Sequence, residues 1–186
     1  MSDLIDIPAT ALATNANELA GRYYPSYLYN HVMRSFAFAD RLARMDGVTL
    51  DRELLFLTAA LHDLGFTDYA QGTGRFAIRG ADAARRFLID RDLSEDQAWR
   101  VWEAIAVHAW DMNLGRAVEA QYAQWGIAAD TTNAHSESAD AAMQNILRKF
   151  PRDDFHHRYC AKGRTGVDRH RQSRLPADVH QPVRAP

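Results

Sequence analysis

Two histidines and two aspartates in the sequence could together hold a metal ion. His62 and Asp63 are adjacent at the end of an apolar segment, and His31 lies on or beside the apolar stripe of an earlier segment. Adjacent residues on a helix point about 100° apart, so this pair can share an ion only between its own helix and the neighbouring ones. A third ligand must then come from another helix, and His31 is the candidate. Asp130, after the short segment 125–129, is a natural fourth.

A mixed set of nitrogen and oxygen ligands suits a borderline divalent metal. Mn²⁺, Fe²⁺, Co²⁺, Ni²⁺ and Zn²⁺ all fit, and Mg²⁺ stays open. Such a metal lowers the pKa of a bound water and polarises the bond under attack, which is the chemistry of hydrolysis or hydration. The alternative for each histidine is a hydrogen-bonded core residue, and a His-Asp dipeptide alone is weak evidence.

Helical periodicity runs from about residue 8 to residue 149, so helices must position these residues. Strand signals are nearly absent, so the predicted fold class is an all-α bundle of about six to seven helices. Asp51 is a plausible N-cap of the third helix, and Gly65 a plausible residue just past its end. The predicted helices lie near 9–22, 27–45, 51–64, 79–91, 95–109, 115–125 and 137–149.

The third predicted helix has no polar face between Leu54 and Leu61. A helix that is apolar all round lies in the middle of a bundle. Burying an imidazole and a carboxylate at its end is costly unless something pairs with them, and a metal ion is one such partner.

Length and composition set the class of protein. With 186 residues, 47% of them hydrophobic, the chain fits one domain with a substantial core. The formal net charge of −2 argues against a nucleic-acid partner. A single cysteine, Cys160, excludes an internal disulfide framework and suits a reducing cytoplasm. No apolar run approaches the roughly 20 residues of a membrane helix, so a cytoplasmic protein with no membrane partner is expected.

The character of the chain changes after Phe150. Residues 151–186 lose the apolar periodicity and are rich in Lys and Arg, which favours a helical domain over 1–150 followed by a disordered basic tail. An RNA-binding tail, a histidine-rich metal-binding tract and an altered reading frame stay open. The tail contains four of the eight histidines: His156, His157, His170 and His180.

Several stretches of the sequence resemble the HD-domain metal-dependent phosphohydrolase superfamily, whose pattern is H…HD…D on a helical bundle. The branch of cyanamide hydratase-like proteins is the most similar. The resemblance implies a metal held by His31, His62, Asp63 and Asp130. It implies a single ion, because only His108 lies between Asp63 and Asp130 and two-metal members carry extra histidines there. The matching stretches, in family order, are 27–34, 54–65, 75–84, 102–108 and 126–130.

The resemblance also suggests roles around the metal. Asp63 would hold the metal and steer the water. His108 would orient substrate or shuttle a proton, although a core histidine bonded to a backbone carbonyl is nearly as good an interpretation. Arg34, one helical turn after His31, could bind a phosphate or another anion, the alternative being a surface arginine.

The family forms its pocket rim in the loop after the His-Asp pair. Asp68, Arg75, Phe76 and Arg79 are therefore candidate substrate-binding residues. The related branch reads close to Arg-Phe-Glu-Val-Asp-Gly-Ala here, whereas Ala77 and Arg79 replace its two acids. The more basic rim slightly favours an anionic substrate over neutral cyanamide.

Three functions follow as hypotheses. The first is a metal-dependent hydrolase of a small phosphorylated, nucleotide-like molecule with one divalent ion. The second is a cyanamide hydratase-like enzyme that hydrates a nitrile-like carbon–nitrogen substrate. The third is a non-catalytic ligand-binding module. The expected partner is a small-molecule substrate, and a homo-oligomer stays open.

Overall fold

A computed structural model describes residues 6–109, 117–132 and 140–159. Within these ranges the chain is all-α, as predicted, and contains no strand. Two 3₁₀ turns, Leu64–Phe66 and Asp68–Ala70, follow the third helix. The helices are α1 (Ala11–Tyr23), α2 (Ser26–Met45), α3 (Arg52–Leu61), α4 (Phe76–Ile89), α5 (Glu95–Val107), α6 (Val118–Thr131) and α7 (Ala141–Lys149).

Helix α3 is the centre of the bundle. Its residues 54–61 are all buried, and α1, α2, α5 and α6 pack around it. The Asp51 carboxylate begins the helix by accepting hydrogen bonds from the backbone N–H groups of Glu53 and Leu54, at 3.0 and 3.1 Å. Both predictions, the buried position and the Asp51 cap, are confirmed.

The third helix ends earlier than predicted. It stops at Leu61, so His62 is its C-cap and Asp63 lies in the following turn. Gly65 is therefore not the residue just past the helix end. A Cβ at Gly65 would lie 1.9 Å from the carbonyl oxygen of Phe76, and one at Gly80 would lie 2.8 Å from the Gly65 nitrogen. These glycines let the backbone of α4 pack directly against the turn that carries His62 and Asp63.

The sixth helix is longer than predicted, because it continues through Gly126 to Thr131. Glycine usually breaks helices, which is why the sequence pattern suggested an end near residue 125. Here Gly126 faces α2, and a Cβ would lie 2.1 Å from the Ser35 carbonyl oxygen. The close approach brings the last turn of α6, with Asp130, beside His31 of α2.

The chain after α7 packs back onto the bundle as far as it is described. Phe150 and Phe155 are buried, and residues 155–159 form a helical turn. Residues 151–159 thus differ from the expectation of a disordered tail. The predictions for 160–186, including Cys160, His170 and His180, lie outside the described residues. No helix in the described part of the chain has the length and apolar character needed to cross a membrane.

Candidate metal centre

His31, His62 and Asp63 meet in the interior between α2 and the end of α3. All three are fully buried, and one ligand atom from each lies within 4.8 Å of the others. The two Nε2 atoms are 3.2 Å apart. An Asp63 Oδ2 atom lies 3.7 Å from Nε2 of His31 and 3.4 Å from Nε2 of His62.

The other ring nitrogen of each histidine, Nδ1, makes a hydrogen bond on the side away from Asp63. Nδ1 of His62 lies 2.8 Å from the carbonyl oxygen of Ala59, to which it can only donate. Nδ1 of His31 lies 2.7 Å from Oδ2 of Asp130. With hydrogens on both Nδ1 atoms, both Nε2 atoms present lone pairs to the space beside Asp63. This is how metal-binding histidines are usually oriented.

The Asp63 carboxylate is buried, yet neither of its oxygens makes a hydrogen bond to any described residue. An ionised carboxylate in that setting is costly without a cation. Two imidazole lone pairs and a carboxylate are good ligands for a borderline divalent metal. The residues present therefore fit such an ion.

Asp130 has a different environment. Arg34 donates to both of its oxygens, Nε to Oδ1 and Nη2 to Oδ2, each at 2.8 Å. Nη2 of Arg152 lies 3.1 Å from the same Oδ1. Asp130 thus lies behind His31, with its oxygens in contact with His31 and two arginines. Its role as a fourth metal ligand remains a prediction.

The charges of the cluster are strongly coupled. Burial lowers the pKa of His31, and the opposing effect of Asp130 only partly offsets this. Burial, the largest single influence, would also lower the pKa of His62, but the charges of Asp63 and Asp130 and the hydrogen bond to the Ala59 carbonyl together outweigh it, so the pKa is raised. Burial, again the largest single influence, would raise the pKa of Asp63, but His62, His31 and His108 together outweigh it and lower the pKa. Without a metal, the Asp63 carboxylate therefore favours the protonated form of His62.

His108 faces the same space from the end of α5. Its Nδ1 lies 2.6 Å from the carbonyl oxygen of Ile105, and its Nε2 lies 3.9 Å from Oδ1 of Asp63. Nε2 is buried without a hydrogen-bond partner among the described residues. Burial and the charge of His62 lower the pKa of His108 to about 4. His108 thus makes the hydrogen bond to a backbone carbonyl that one interpretation of the sequence expected, while its other ring nitrogen faces Asp63; its role toward a substrate remains a prediction.

Arg34 is not a surface residue. It is fully buried, and besides Asp130 it binds the carbonyl oxygens of Phe150 and Pro151 through Nη1, at 3.0 and 2.9 Å. Four hydrogen bonds to protein groups therefore hold a side chain that was expected to bind an anion directly.

Arg79, one of the predicted rim residues, is also held by hydrogen bonds to protein groups. Its guanidinium donates to four backbone carbonyl oxygens of the loop between α3 and α4, at 2.7 to 3.2 Å. The side chain shapes this loop by holding its backbone. The acceptors belong to Gly65, Ala70, Gly72 and Gly74.

The other predicted rim residues separate into two kinds. Asp68 and Arg75 are exposed in or next to the loop between α3 and α4. Phe76 is buried, stacks on Phe66 with ring centroids 4.0 Å apart, and lies 5.6 Å from the His108 ring. The structure therefore brings only Phe76 of these three next to a residue of the cluster.

Sequence reasoning missed three residues near the site, all in the segment interpreted as a tail. Arg152 contacts Asp130, Phe155 stacks on His31, and the Tyr159 ring lies 5.5 Å from His31. The spacing of Phe155 and Tyr159, which places them on one face of a helical turn, was the available signal.

A family model for the HD domain matches residues 28–125, more than half of the chain. The chain therefore belongs to the HD-domain family, most of whose members are metal-dependent phosphohydrolases. The matched range contains His31, His62, Asp63 and His108, and ends before Asp130. Comparison with curated proteins finds no match.

Proposed function

We propose that the protein is a metal-dependent hydrolase of a small phosphorylated, nucleotide-like molecule, with one divalent ion held by His31, His62 and Asp63. One observation carries the proposal: two unpartnered oxygens of a buried aspartate face two histidine nitrogens whose other ring nitrogens are already held. Membership of the HD-domain family supports the same chemistry.

The ion would act as a Lewis acid that makes water a better nucleophile at neutral pH. Mn²⁺, Fe²⁺, Co²⁺, Ni²⁺ and Zn²⁺ fit the ligand set, and Mg²⁺ is retained as a candidate. Asp130 supports the site by fixing the tautomer of His31 through Nδ1. In this proposal, direct ligation by Asp130 remains the additional expectation taken from the family pattern.

His108 is the proposed proton acceptor. Its Nδ1–H donates to the carbonyl oxygen of Ile105, so neutral His108 carries its lone pair on Nε2, the atom that faces Asp63. A water between these groups can lose its proton to Nε2. We expect His108→Gln to retain the metal and to lower kcat, in the range of about 10²- to 10⁴-fold typical of lost acid–base catalysis.

The local charge favours an anionic substrate. Arg34 and Arg152 both contact the carboxylate of Asp130 behind His31, which places two cationic side chains on that side of the site. Arg79 adds another positive charge at the rim. A divalent ion would raise the positive potential further, and a phosphoryl group would be attracted to it.

Hydration of a small carbon–nitrogen substrate is the second candidate. The cluster is fully buried, and Arg34 and Arg79 are engaged with protein acceptors. An enclosed site whose arginines are already bonded also suits a small neutral molecule. The resemblance to the cyanamide hydratase-like branch supports the same alternative.

The test is a substrate screen on protein loaded with Mn²⁺, Co²⁺ or Ni²⁺. Mononucleotides and generic phosphoesters are assayed for phosphate release, and cyanamide for urea. Asp63→Asn, which keeps the size of the side chain, serves as the inactive control. Phosphate release that depends on Asp63 would support the first candidate, and urea formation the second. Metal binding without either product would favour a binding module instead.

A further inference from the structure

The segment after α7, residues 150–159, lies over the His31 side of the metal centre. We refer to it as the aromatic cover. Its first two residues are anchored to α2: Arg34 donates to the carbonyl oxygens of Phe150 and Pro151, and Asn30 Nδ2 donates to that of Pro151 at 3.0 Å. These bonds fix where the cover begins.

A turn then directs the chain back over the site. Asp153 has a φ of 44°, which is uncommon for a residue other than glycine. The backbone N–H of Phe155 donates to the carbonyl oxygen of Arg152 at 2.9 Å as the helical turn 155–159 begins. Phe155 is fully buried, whereas His156 and His157 on the outer side are exposed.

Two aromatic rings of the cover close the site at His31. The Phe155 ring stacks on the imidazole with centroids 4.4 Å apart and planes 20° apart. The Tyr159 ring lies 5.5 Å from the imidazole and 6.0 Å from the ring of Phe66. The cover therefore spans from α2 to the turn that follows His62 and Asp63.

His31 is fully buried on the side that Phe155 and Tyr159 cover. The helices that surround the cluster pack on the core helix α3, whereas the cover is a single layer with solvent on its outer side. Displacing a single surface layer requires less disruption than separating core helices, and site-closing elements are generally drawn from such regions.

We propose that the aromatic cover is a movable lid that controls access to the metal centre, and that Phe155 and Tyr159 are the residues that close it. The lid's use for substrate entry rests on the proposed function. Its shielding of His31 does not, and can be measured without metal or substrate.

The experiment uses diethyl pyrocarbonate, which modifies accessible neutral imidazoles, with EDTA present and peptide mass spectrometry as the readout. We compare wild type, Phe155→Ala and the matched control His157→Ala, which changes the outer side of the same helical turn. We expect Phe155→Ala to raise the His31 modification rate by about tenfold or more, because reaction at a buried group goes through local opening. His157→Ala should leave that rate unchanged.

Circular dichroism and thermal melting separate opening of the lid from loss of the fold. A folded Phe155→Ala protein whose His31 reacts at the wild-type rate would overturn the proposal. If Phe155→Ala does not fold, Tyr159→Ala and Asn30→Ala, which weaken the closing contact and the anchor separately, are measured in its place. His31 rates equal to wild type in both of these variants would also overturn it.

A second readout tests the lid on the metal-loaded protein. We expect dipicolinate to extract Co²⁺ about tenfold faster from Phe155→Ala than from wild type, since ligand exchange then no longer waits for opening. Equal extraction rates from the two proteins would contradict a gating role. If the wild type binds no Co²⁺ but Phe155→Ala still raises the His31 modification rate, the proposed function is contradicted and the shielding of His31 by the aromatic cover is supported.

Discussion

Asp63 and Asp130 are two buried carboxylates on either side of His31, and their surroundings differ. Asp130 accepts hydrogen bonds from Arg34 and contacts Arg152 and His31, so its charge is compensated by protein groups. Asp63 has two oxygens without a hydrogen bond to any described residue. The carboxylate of Asp130 is part of the packing between α2, α6 and the chain after α7, whereas that of Asp63 is available to a cation. We infer from this difference that the Asp130 side of His31 is structural and that the Asp63 side binds the proposed metal.

The largest expected contrast is in stability. Asp130→Asn leaves buried Arg34 without its carboxylate, and breaking a buried pair in this way costs about 3–5 kcal/mol. Asp63→Asn should change the unfolding free energy by less than about 1 kcal/mol, because the amide removes the cost of burying a charge that accepts no hydrogen bond, which offsets the lost attraction to His62. Urea unfolding in EDTA measures both. Equal losses of unfolding free energy in the two variants would contradict the inferred difference between Asp63 and Asp130.

The contact that brings Asp130 to His31 can be tested through Gly126. In Gly126→Ala the new Cβ would lie 2.1 Å from the carbonyl oxygen of Ser35, so α6 must move away from α2. Overpacking of this kind costs about 1–3 kcal/mol, and we expect the upper end because the obstacle is backbone. Urea unfolding is again the measurement.

Gly21→Ala in α1 is the matched control for that substitution. Its Cβ would have only the Tyr29 ring within reach, at 4.0 Å. Alanine is the better helix former, so this variant should gain about 0.5–1 kcal/mol. If Gly126→Ala is as stable as Gly21→Ala, the close approach of α6 to α2 does not hold the site together.

Metal binding beside Asp63 should release a proton from His62. The pKa of His62 is raised, so below that raised value the metal must displace a proton from His62. Apparent affinity should therefore rise about tenfold per pH unit until His62 is neutral, and then level off. Calorimetric titration with Co²⁺ between about pH 5 and 8 covers this range. An affinity that does not change with pH would mean that no protonated histidine occupies the site.

The sequence predicted the parts of this account that depend on local pattern. The apolar stretch 54–61 predicted a central helix, the Asp51 cap was visible beside it, and the positions of His31, His62 and Asp63 indicated a common site. The helix ends expected next to Gly65 and Gly126 were wrong, because the role of these glycines could not be predicted from local pattern. Gly65 and Gly126 serve close backbone contacts with α4 and α2, and such contacts exist only once the helices are packed.

The residues that surround the site could not be predicted from the sequence either. Arg34 follows His31 by one turn, as an anion-binding arginine would, but its buried bonds to Asp130 and the Phe150 carbonyl depend on tertiary contacts. The charged stretch after Phe150 masked Phe155, because a low apolar density usually indicates a solvated tail. Two aromatic residues on one face were enough to pack it against His31.

The most direct test of the central claim is elemental analysis of purified wild type, Asp63→Asn and the matched control Asp96→Asn, which alters an exposed aspartate on α5. We predict about one divalent transition metal per chain in the wild type and in the Asp96 variant, and a loss in the Asp63 variant, because a neutral amide is a weaker ligand than a carboxylate. Equal metal in all three proteins, or a folded wild type that takes up none of the candidate ions, would contradict the assignment of this cluster as the metal centre.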